Sequence, residues 1–79
     1  MKTTAVTLVD VRGDIEDFAD LIGQSGKLRL SSDGVGSFCY GGNDWLEFHR
    51  KRVTRKGDQI RVHTEMGNTF IFDTKEELV

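Results

Sequence analysis

The first hydrophobic pattern in the chain has a period of two. In "TAVTLVDV" (4–11) Val and Leu alternate with Thr and Asp and β-branched side chains dominate, which predicts a strand with Val6, Leu8 or Val9, and Val11 turned to a core. The period then changes. In "GDIEDFADLIGQSG" (13–26) Ile15, Phe18, Ala19 and Ile22 recur at helical spacing, with Leu21 at the margin of the stripe. A helix is expected there, with Asp14 as its cap, Glu16 and Asp17 suiting its positive end, and Gly23 or Gly26 ending it.

From Lys27 onward turn signals recur at short intervals, and the segments between them are too short for helices. "KLRLSS" and "VGSFCY" flank Asp33-Gly34, a dipeptide suited to a tight hairpin. "YGGND" (40–44) turns into "WLEFHRKRVTR", Lys56-Gly57-Asp58 leads to "QIRVHTE", and Met66-Gly67-Asn68 leads to "TFIFDT". The tail carries a capping-box pattern, Thr74 with Glu77, and room for one helical turn. The expected fold is a single α+β domain over 1–79: one N-terminal helix packed on a curved antiparallel sheet of five to six strands, in the order β-α-β-β-β-β-β.

Parity sharpens two of these readings, because successive strand residues face opposite sides. Ile60 and Val62 share a face with Phe70 and Phe72 if the loop at Met66-Gly67-Asn68 uses three residues. Leu46 and Phe48 are even-numbered and Val53 is odd, so placing all three on the core face requires one extra residue. A β-bulge is therefore predicted in 49–52.

The same stretch is the most biased in charge. Arg50, Lys51, Arg52, Arg55 and Lys56 are five of the eleven Lys and Arg residues, gathered within seven positions. Consecutive cations on extended backbone diverge to both faces, and burying an unpaired cation is prohibitive, so this part of the hairpin is expected to project into water. An exposed basic tip protects against edge-to-edge aggregation without any further role. It can also contact phosphates. Charge changes sign along the chain, with residues 1–26 at −3, 27–61 at +4 and 62–79 at −3. The overall −2, a pI near 5.6 and the lack of a helix-turn-helix, zinc-finger or RNP-type signature argue against nucleic acid as the first choice.

Tyr40 and Trp45 bracket the Gly-Gly-Asn-Asp loop, and aromatics near arginines have the composition of a protein-binding hot spot. In so small a chain, however, the lone Trp is expected in the core, where a large ring supplies much of the buried area. Cys39, His49 and His63 are spaced too widely for a closed zinc site, and no group orients a Cys-His pair for nucleophilic attack. Cys39 reads instead as a small buried hydrophobe, and His63, alternating with Arg61 and Glu65, as facing water. "GVGSFCYGG" (34–42) fits neither phosphate-loop template, so its glycines read as turns or bends of a curved strand. Asp14, Asp17 and Asp20 share a helical side and read as a solvated face, or as an acidic surface competing for a basic protein.

No cofactor, metal or catalytic residue is expected. A single cysteine excludes an internal disulfide, and no apolar run approaches the roughly 18 residues of a membrane span. The opening "MKTTAVTLVDVRG" lacks the signal-peptide pattern, so a cytoplasmic, reducing setting is expected. A 79-residue chain has more surface than interior to work with. The expected function is a non-catalytic protein-binding module, accessory or inhibitory, acting on a larger macromolecular complex. The alternative is a nucleic-acid-binding accessory protein using the basic hairpin 50–56, and a homodimer is compatible with either. The residues expected to carry binding are Arg50, Lys51, Arg52, Arg55, Lys56, Tyr40 and Trp45.

Overall fold

Two long strands organise the molecule. A computed structural model describes residues 3–13 and 15–74. It contains β1 (Thr3–Arg12), β2 (Ser25–Leu30), β3 (Val35–Tyr40), β4 (Asp44–Lys56), β5 (Gln59–Thr64) and β6 (Thr69–Asp73). All neighbours are antiparallel, and β6 returns to pair with β1, which closes the sheet into a barrel. The first half of β1 pairs with β2 and its second half with β6. Likewise the first half of β4 pairs with β3 and its second half with β5. Each long strand thus passes from one wall of the barrel to the other.

Both do so through a bulge. In β4 the register shifts between Arg50 and Arg52, leaving Lys51 as the extra residue, within the window that parity predicted. In β1 it shifts between Leu8 and Asp10, leaving Val9. A bulge bends its strand and raises the local twist, which is what a strand needs to turn a barrel corner. It also resets parity: Val6 and Leu8 are buried before the β1 bulge and Val11 after it, while Val9 is 37% exposed.

The interior is filled by alternate residues of both walls. Leu8, Val11, Leu28, Phe38, Ile60, Val62, Phe70 and Phe72 are all buried in one cluster. Their rings interlock at Phe38–Phe72 (5.1 Å between centroids) and Phe48–Phe70 (5.4 Å). Ile60 faces Phe72 and Val62 faces Phe70 across β5–β6, the shared face expected of a three-residue loop. That loop is Glu65-Met66-Gly67, one position earlier than expected, with Thr64 N–H donating to Asn68 O (2.9 Å). Gly36 lies opposite Phe48, whose ring occupies the space a Cβ would take, so the curved β3 strand is built around a missing side chain.

The α+β expectation is overturned: the fold is nearly all β, and no N-terminal helix packs on the sheet. Where the helix was expected, in 13–26, the described residues form one helical turn, Ile15–Phe18, running into a 3-10 turn, Ala19–Leu21, and Ser25 and Gly26 already belong to β2. A short helix rich in Asp has little intrinsic stability and must be held by packing. Of the described side chains here, Phe18 and Leu21 pack against the core, Phe18 meeting Phe70 edge-on at 5.1 Å. Their spacing of three suits a 3-10 turn. Ala19 and Ile22 are exposed. The chain then runs back along β1, where Leu8 N–H donates to Gln24 O (2.9 Å) and Gly23 N–H to Leu8 O (2.7 Å). Gly26 ends no helix; it lies inside β2, pressed against the Cys39 carbonyl. The Asp14 cap, the side chains of Ile15 and Asp17, and the Thr74–Glu77 capping box fall outside what is described.

Candidate functional site

The basic run does not behave as one group, because the bulge and the barrel rim send its members to different places. Arg50 stays on the inner side of the bulge, half-buried, opposite Thr64. Its Nη2 donates to Ser31 O (2.6 Å) and its backbone N–H to Gly34 O (2.8 Å), so it ties β4 to the β2–β3 turn. In that turn the Ser31 hydroxyl lies against Asp33 Oδ1, and Val35 N–H donates to the same oxygen (3.2 Å). The Ser31 contact, the Val35 N–H and, more weakly, the Arg50 charge hold the Asp33 carboxyl below the ordinary aspartate range.

Arg55 pairs with Ile60 on the inner side and leans out over the rim, with Nε donating to Gly57 O (3.3 Å). Arg52 and Lys56 point outward, beside Thr54. Lys51 protrudes at the bulge. The expectation that this hairpin is wet on both sides therefore holds for Lys51, Arg52, Arg55 and Lys56, all exposed, and fails for Arg50, which the turn absorbs.

Pairing also recruits residues that linear proximity misses. Across the outer wall, Arg52, His63, Thr69 and Arg12 form one row over β4, β5, β6 and β1. The next row reads Thr54, Arg61, Ile71, Asp10, and the one after it Lys56, Gln59, Asp73, Thr7. Arg61 thus lies diagonally between Arg52 and Lys56. His63 is half-buried and its Nδ1 bonds Thr69 Oγ1 at 3.1 Å, which fixes the ring. The alternation of Arg61 and His63 with buried Ile60 and Val62 carried the signal for this wall.

The aromatic pair is also split. Tyr40 turns inward and stacks on Phe38 at 5.4 Å. Trp45 turns outward and is 67% exposed, against the expectation that it belongs to the core. Its cross-strand partner Cys39 is exposed as well, not the buried hydrophobe expected. Both corrections have one cause: each residue lies between inward neighbours, Phe38 and Tyr40 or Leu46, so the strand's period sends it out. Trp45 and Arg52 lie seven residues apart on a bent strand, at most ~23 Å at about 3.3 Å per residue, and face different walls. Beside Trp45 on its wall stand Cys39 and then Lys27, with Glu47 two residues along.

Among the described residues, no group of three or more His, Cys, Asp or Glu side chains is arranged to hold a metal ion. No described helix is long and apolar enough to cross a membrane. Comparison with protein-family models, curated proteins and solved structures gives no match.

Proposed function

We propose that this domain is a non-catalytic protein-binding module, and that Trp45 on the β2–β3–β4 wall is its anchor. The single observation in support is the exposure of that ring. In a small domain, an indole left two-thirds in water forgoes a large hydrophobic gain, about 25 cal/mol per Å2 of apolar surface. Covering it with a partner recovers that gain. A rigid strand presents the ring at little conformational cost, and Trp is the residue type most enriched at interface hot spots. Lys27 and Glu47 supply a charged rim around it. An accessory or inhibitory role on a larger complex follows from a chain whose outside is its working part.

The test is affinity capture from the native host with wild-type and Trp45→Ala protein, each with and without nuclease. The expected result is a protein partner that survives nuclease and is lost with Trp45→Ala, while the thermal midpoint of the variant stays at the wild-type value. Loss of the partner on nuclease treatment, or equal capture by the variant, overturns the reading.

A further inference from the structure

The other wall of the barrel has a different chemistry. Lys51, Arg52, Lys56 and Arg61 are all exposed on the outer β4–β5 surface. Arg61 Nε donates to Gln59 Oε1 (3.2 Å), and Lys51, Arg52 and Lys56 make no side-chain hydrogen bond or ion pair with a described residue. Like charges at diagonal positions of neighbouring strands repel, so the arrangement costs fold stability that a bound polyanion restores. Asp73 on β6 lies opposite Gln59 and diagonal to Arg61, so it offsets part of the Arg61 charge, while Asp10 on β1 lies two strands from Arg61. Neither acid is on a strand next to Lys51, Arg52 or Lys56. At a Debye length of about 10 Å in 0.1 M salt, a ligand on this surface responds to the local cations more than to the net charge of the chain.

The wall also has a shaped feature. Beside the Lys51 bulge is a notch of about 430 Å3, lined by Lys51, Arg52, His63, Thr64, Asn68 and Thr69. With Nδ1 occupied by Thr69, the ring of His63 has Nε2 left for a ligand. Two cations and the imidazole Nε2 make a seat for a tetrahedral oxyanion, while the Thr64 hydroxyl donates to Asn68 O and the Thr69 hydroxyl is held by His63. Ile71, the apolar member of this surface, is buried, so the wall lacks the apolar centre that a protein hot spot requires. It lacks an exposed aromatic for base stacking too, which disfavours single strands.

We propose that the outer β4–β5 wall binds the phosphodiester backbone of duplex nucleic acid, with one phosphate in the notch at Lys51, Arg52 and His63. The surface is distinct from the Trp45 wall. Arg50 and Arg55, which sequence proximity groups with it, take no part; Arg61 and His63 do.

The experiment is fluorescence anisotropy of a 20-base-pair duplex against salt concentration. Four phosphate contacts predict that log affinity falls against log salt with a slope of about −3 to −4. The double variant Arg52→Glu/Arg61→Glu, both positions exposed, is expected to lose at least tenfold at low salt, with an unchanged circular dichroism spectrum as the folding check. Arg55→Ala and Trp45→Ala are expected to bind within twofold of wild type, which separates this surface from the proposed protein anchor. No retention at low salt, a slope shallower than about −1, or wild-type affinity in the double variant overturns the proposal.

Discussion

Arg50 Nη2 donates a 2.6 Å hydrogen bond to the carbonyl of Ser31, joining the bulged strand of one barrel wall to the turn that closes the other. Among the described residues its Nε is buried without a partner. A charge-assisted bond contributes roughly 1.5–3 kcal/mol, and relief of the stranded Nε offsets part of its loss. Arg50→Met is therefore expected to destabilise the domain by about 1–2 kcal/mol in urea unfolding, while duplex affinity stays within twofold. A stable variant that no longer binds would return Arg50 to the ligand surface and remove its structural role.

Asp33 gives the same turn a pH dependence. Contact with the Ser31 hydroxyl, then the Val35 N–H and the Arg50 charge, lower its folded-state pKa below the ordinary value of 3.8. A depressed carboxyl contributes stability above its unfolded pKa and loses it as pH falls through the folded one. Asp33→Asn cannot titrate. The thermal midpoint gap between wild type and this variant should thus be constant above about pH 5 and shrink below pH 4. A gap that persists unchanged to pH 2 would show that the carboxylate charge does not matter to the turn.

How much of this was legible in the sequence follows from which contacts are local. Six strands could be read because alternation and turn dipeptides are properties of neighbouring residues, and the Lys51 bulge because Leu46, Phe48 and Val53 disagree in parity. The same disagreement in parity between Leu8 and Val11 marks the Val9 bulge, although the adjacent apolar pair Leu8-Val9 lets either residue fill the inward position when the strand is read as regular. Barrel closure was not legible, since β1 meets β6 some sixty residues later and nothing local encodes that pairing. The helix failed because the core takes Phe18 and the marginal Leu21 through two short turns and leaves Ala19 and Ile22 of the expected stripe exposed, a choice that spacing along the chain does not decide. For Trp45 the size of the ring overrode a parity that already pointed outward. The cationic wall was half seen, because Arg61 and His63 join Arg52 across a strand pair and not along the chain.

Two glycines test the close approach of strands in the β2–β3–β4 wall. A Cβ at Gly26 would collide with the Cys39 carbonyl oxygen, and one at Gly36 would overlap the Phe48 ring. A backbone carbonyl in a sheet cannot move without breaking the β2–β3 register, whereas a ring can tilt at some cost in packing. Gly36→Ala is expected to cost about 1–3 kcal/mol, the usual range for overpacking, and Gly26→Ala more. Denaturant midpoints of the two variants, compared with Gly57→Ala in the exposed hairpin turn, check the order. If Gly26→Ala proved the milder of the first two, Gly26 would not lie against Cys39, and β2 would have to pair with β3 in another register.

Phe38 and Trp45 lie on opposite sides of the same β3–β4 pair, one fully buried and one two-thirds exposed, so they separate core from surface by a single comparison. Truncating a buried Phe to Ala costs about 3–5 kcal/mol, and a core of this size supplies about that much net stability. Phe38→Ala should leave much of the population unfolded at 25 °C. Trp45→Ala removes a ring that the core does not use and should shift stability by no more than about 0.5 kcal/mol. Fluorescence gives an independent check, since Trp45 is the only indole in the chain. Its emission should already be red-shifted in the folded protein and quenched by acrylamide nearly as well as after unfolding, then blue-shift and become protected when a protein partner binds. A native spectrum that is blue and protected, together with a large loss of stability in Trp45→Ala, would mean the ring is covered by the domain itself, and the anchor proposed for partner binding would have to be sought elsewhere.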